Sequence, residues 1–151
     1  MSRQTKDNSD HVAKTTAKVM VNGDTLFNIT GDVLIYALVS ECYTANNATA
    51  STLQYSITNN DSATAQTISA ASATLASKAP KTSVLAQLGA LTNAPVISSA
   101  SGVGAFPWGA IRVGGNSILT SVIGVGSTTG TWKHYIRYEP LEDGATITPA
   151  F

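Results

Sequence analysis

From Lys18 onward the chain repeats one pattern: a short run with large apolar residues at alternate positions, then a cluster of Gly, Asn, Asp or Ser. A period of two marks a strand with one buried face, so the pattern predicts an all-β domain. Val19-Met20-Val21 leads into Asn22-Gly23-Asp24, and Leu26 to Thr30 follows, with Phe27 and Ile29 alternating with Asn28 and Thr30. An Asn-Gly step tolerates the positive φ of a type I′ turn, which predicts a hairpin here. Thr52 to Thr58, Ser83 to Leu88, Pro95 to Ser98, Ala110 to Val113 and Ser117 to Ile123 are further runs of the same kind. Short runs at regular spacing indicate an antiparallel β-sandwich or a jelly-roll-like single domain.

Two runs say more than their number. In Val33 to Val39 strict alternation puts Val33, Ile35, Ala37 and Val39 on one face and Leu34, Tyr36 and Leu38 on the other, so both faces are apolar. The second face then requires a cover, supplied either by a loop or arm of the same chain or by a neighbouring subunit. In Gly130 to Leu141, Trp132, His134, Ile136 and Tyr138 form an apolar face opposite Lys133, Tyr135, Arg137 and Glu139, until Pro140 removes a ladder donor. Ala63 to Ala79 is rich in Ser, Ala and Thr, but its only large apolar residues are Ile68 and Leu75. Without a helical row it reads as strand and loop.

Residues 1–18 differ from the rest, with Arg3, Lys6, Lys14 and Lys18 set among polar residues. They read as an extended N-terminal arm, leaving 19–151 as the sandwich domain; removing the arm is expected to leave that domain folded. The composition sharpens this division. Ala, Ser and Thr make up 57 residues, while nine basic and nine acidic residues cancel. Zero net charge argues against a nucleic-acid partner. The lack of a long apolar run argues against a membrane, and the polar start lacks a secretory signal, so synthesis in a cytoplasm is expected.

Candidate chemistry is sparse, and no catalytic residue, metal site or cofactor is expected. Cys42 is the single cysteine and reads as a small buried hydrophobe. His134 lies on the apolar face of its strand and reads as a packing residue with one satisfied nitrogen. Gly102-Val103-Gly104 and Gly124-Val125-Gly126 lack the third glycine or the lysine of a phosphate-binding loop. Phe106-Pro107-Trp108, in contrast, sets two aromatics in a Gly-rich loop, where they either tuck under the sandwich or anchor a partner.

Leu26-Phe27-Asn28-Ile29-Thr30-Gly31-Asp32-Val33-Leu34-Ile35 and Trp132-Lys133-His134-Tyr135-Ile136-Arg137-Tyr138-Glu139-Pro140-Leu141-Glu142-Asp143-Gly144-Ala145-Thr146 bracket the Ser/Thr/Ala-rich middle. These two ends resemble those of small structural proteins of tailed bacteriophages, of the capsid decoration or cement type. The resemblance implies a non-enzymatic virion subunit that oligomerises, as a trimer, and braces the major capsid protein or other virion proteins. A tail, fibre or neck component is the alternative within that class, and a carbohydrate-binding sandwich the alternative outside it. The candidate interface comprises Arg3, Lys6, Lys14 and Lys18 of the arm, Leu34, Tyr36 and Leu38 of the two-faced strand, and Phe106 and Trp108 of the loop.

Overall fold

The structure, a computed structural model, describes residues 11–125 and 129–151. Twelve strands and no helix occur among these residues. In chain order they are β1 (Val12–Lys14), β2 (Lys18–Val19), β3 (Thr25–Thr30), β4 (Val33–Cys42), β5 (Thr52–Asn59) and β6 (Thr64–Thr67), then β7 (Ser83–Leu85), β8 (Val96–Ile97), β9 (Ile111–Val113), β10 (Ser117–Gly124), β11 (Thr131–Pro140) and β12 (Thr146–Pro149). They form two antiparallel sheets. The larger runs β1-β11-β4-β7-β8, with β2 also on β11 and β9 also on β4; the smaller runs β12-β3-β10-β5-β6. The pairs β3·β12, β4·β11 and β5·β10 nest one inside the next. Rolling one long hairpin into two layers gives this nesting, so the predicted β-sandwich is the observed architecture.

The alternation read from the sequence places the core. Phe27, Ile29, Tyr55, Leu119, Trp132 and Ile136 point between the sheets and are almost fully buried. Each such side chain contributes about 1.5–3 kcal/mol of burial. Cys42 lies in the same core, opposite Trp132 on the neighbouring strand. Ala63 to Ala79 is strand β6 followed by loop, with Ile68 and Leu75 as its buried anchors.

Three expectations change. The Asn22-Gly23 turn is not a hairpin, because β2 joins the larger sheet and β3 the smaller one. Gly23 has φ +86° while Asn22 keeps an ordinary φ, so the type I′ pairing that would align the two arms is absent. A turn signal says that the chain reverses, not that both arms enter one sheet.

Strict alternation also fails in β4. Opposite Arg137 and Tyr138 the register skips from Ala37 to Ile35, leaving Tyr36 as the extra residue of a β-bulge. The bulge inverts the phase beyond it. Leu38, expected on the outer face, is therefore fully buried in the core with Val33 and Ile35, while Leu34, Tyr36, Ala37 and Val39 share the outer face.

The arm, finally, is not separate from the domain over its described part. β1 and β2 pair with β11, Thr15 N–H donates to the His134 carbonyl, and Ala13 and Thr15 are buried. Residues 11–18 belong to the sandwich; Arg3 and Lys6 lie outside the described residues.

Candidate functional site

The outer face of the larger sheet carries the most unusual surface. A groove of about 480 Å³ lies between β4, β11 and the end of β1 on one side and the loop 106–109 on the other. Val12, Ala37 and Val39 supply its apolar lining and Tyr36, Tyr135, Phe106 and Trp108 its aromatic walls. Arg137 is the charged member, its guanidinium carbon 5.3 Å from the centre of the Tyr36 ring. Burial pushes the Tyr135 hydroxyl above its ordinary pKa, helped by the Glu41 charge, so this phenol stays neutral.

Glycines fix the loop over this face. A Cβ on Gly104 would sit 2.9 Å from Leu85 Cδ1 and from Ser98 Cβ; one on Gly109 would sit 2.1 Å from the Gly89 nitrogen. The backbone thus rests on the sheet and on Gly89 at two points, and Gly109 holds φ +132°, a region L-residues avoid. Leu85, on the outer side of β7, is covered where Gly104 presses on it. Between the two anchors the aromatics stay exposed beside the groove: Trp108 is 96% exposed and Phe106 55%. Of the two fates open to this tripeptide in the sequence, tucking under the sandwich is not the one observed.

The expected interface residues therefore separate. Tyr36, Phe106 and Trp108 meet at the groove, and Leu34 lies on the same face beyond it, opposite Glu139. Leu38 is excluded by the bulge. Lys14 is exposed and registers with Tyr135. Lys18 is engaged within the chain, 2.9 Å from Asp24 and 4.9 Å from the centre of the Phe151 ring. Val12, Tyr135 and Arg137 are groove residues that sequence reasoning missed. The available signal was the tyrosine on the otherwise charged face of β11.

A second polar arrangement lies in the core. Ser40 Oγ shares hydrogen bonds with Tyr55 Oη at 2.6 Å and His134 Nδ1 at 2.7 Å, and the His134 ring meets Phe151 edge-on at 6.3 Å. The spacing suits a nucleophile and a base. All three side chains are at most 1% exposed, so the trio is closed to any substrate and satisfies buried polar atoms instead. Burial lowers the His134 pKa to about 3, against a weaker opposing pull from the Asp24 charge, and holds the ring neutral. No cluster of three metal-ligating side chains occurs among the described residues.

No family model matches the chain, and no curated protein matches it. A solved structure of the infectious bursal disease virus Gx strain is similar over 91% of this chain, at 11% identity and a TM-score of 0.32. This chain spans 38% of that longer chain.

Proposed function

We propose that the protein is a virion structural subunit of the phage decoration type, which binds other virion proteins through the outer face of its larger sheet and catalyses no reaction. The observation that carries the reading is Trp108, almost wholly exposed on a doubly anchored loop beside an apolar groove. An exposed indole next to unfilled apolar surface is what a protein contact buries, and fixing the loop in advance reduces the ordering cost of doing so. The likeness of residues 26–35 and 132–146 to phage structural proteins supplies the context, a major capsid protein the partner, and the virion the location.

The test is binding of the full chain to purified phage shells, compared with Trp108→Ala. Saturable binding weakened on the order of 30-fold by the substitution supports the reading; no binding to shells, or binding indifferent to Trp108, overturns it. The same exposed indole, with Tyr36 and Tyr135 beside it, also suits stacking on a sugar ring. The mainly apolar lining, with Arg137 as its charged donor, favours protein. Trp108-dependent binding to glycans in place of shells would reverse that preference.

A further inference from the structure

The groove and the residue best suited to fill it occupy one patch. Trp108 walls the groove and also projects past its rim, with Phe106 beside it and Val12 half-exposed at the opposite edge. A two-fold contact between identical chains requires such self-complementarity: the same patch must hold both the projection and the recess, because each copy gives what the other receives. Were Trp108 and the groove on opposite faces, insertion would propagate into a ring or fibre. We infer that the occupant of the groove is a second copy of this chain, with Trp108 of each copy seated in the groove of the other about a two-fold axis. The inference rests on the proposed role of this face in protein contacts and narrows it: Trp108 serves shell binding through the dimer it forms, whose two copies bind the shell together, in place of a direct contact with the capsid protein.

Size and charge agree with it. The exposed parts of Val12, Phe106 and Trp108 come to roughly 450 Å², more than half of the ~800 Å² that each partner buries in a standard interface. A groove of about 480 Å³ admits an indole and part of its loop. Arg137 does not oppose close approach of the second copy, because its guanidinium lies against Tyr36 and Glu139 follows two residues later on the same face of the strand. Residues 1–10 contain Met1 as their single large apolar side chain, so their composition suits an apolar groove less well than Trp108 does.

Sedimentation of the full chain across a concentration series, read together with tryptophan emission, tests the inference. Trp132 is buried at all concentrations, so a blue shift as dimer forms reports Trp108. Trp108→Ala removes the projection and Ala37→Arg blocks the recess; each alone should raise the dimer dissociation constant on the order of 30-fold. An equimolar mixture of the two variants should form mixed dimers more tightly than either variant pairs with itself, since one insertion survives, into a recess that lacks only its own Trp108 wall. A monomer at every concentration, a trimer, or a dimer indifferent to both variants overturns the inference. A chain that stays monomeric yet binds shells in a Trp108-dependent way overturns it while leaving the proposed function standing.

Discussion

Acidification should destabilise this protein well above the range in which carboxylates titrate, and His134 is the cause. In the fold its ring is buried edge-on against Phe151 and bonded to Ser40, and its pKa lies near 3; the ordinary value is 6.5. Lowering the pH below 6.5 protonates the histidine of the unfolded chain but not that of the folded one. The unfolded state binds more protons, so stability falls with pH throughout the window from about 6.5 to about 3. Each pH unit well inside that window costs about 1.4 kcal/mol, so passing from pH 7 to pH 4.5 removes roughly 2.5 kcal/mol, a large share of a typical domain's stability. Urea melts at pH 7, 5.5 and 4.5 measure the loss directly. His11→Asn is built into every protein compared, so that His134 is the sole titrating imidazole. The second variant, His134→Gln, is less stable at pH 7 but should show a nearly flat profile over the same interval. A flat profile in the parent protein, or an imidazole resonance of His134 moving near pH 6.5, would refute the burial argument.

The bulge at Tyr36 predicts opposite outcomes at two leucines of one strand. Leu38→Ala should cost about 2–5 kcal/mol in a denaturant melt, whereas Leu34→Ala, on the outer face, should cost under about 1 kcal/mol; equal losses would mean that β4 alternates without interruption. Removing residues 1–18 strips β1 and β2 from β11 and takes away the hydroxyl that receives the His134 N–H, so calorimetry should show a much lower midpoint or no cooperative transition. Gly109→Ala forces a Cβ into the Gly89 backbone and should release the aromatic loop, which limited proteolysis between residues 100 and 110 would detect as faster cleavage.

Much of this architecture could be read from residue order, because a period of two is a local property. The even face of β11 and the Ser/Ala/Thr tract without a helix follow from side-chain spacing alone. The partition of the Asn22-Gly23 turn between two sheets does not, since it is decided by β10: Gly23 N–H donates to the Ser121 carbonyl, a residue remote in sequence. Nor does the inverted phase of β4, where one additional residue faces Arg137 and Tyr138 and nothing in Val33 to Val39 marks which residue it is. The groove was half legible. Its wall, Phe106 and Trp108, stood out as aromatics among glycines, but its lining comes from Val12, Ala37, Val39 and Tyr135, which only the pairing of β1, β4 and β11 brings together.

Cys42 has a practical consequence. It is the single thiol of the chain, fully buried, with its sulfur 3.1 Å from the Thr44 carbonyl and its pKa raised by burial. A maleimide or an aromatic disulfide added to the native protein therefore meets no reactive partner until the strands around Trp132 part. The rate of its modification is a clock for opening of the sandwich, and a cysteine placed on the outer face can carry a dye or a spin label without background from the chain itself.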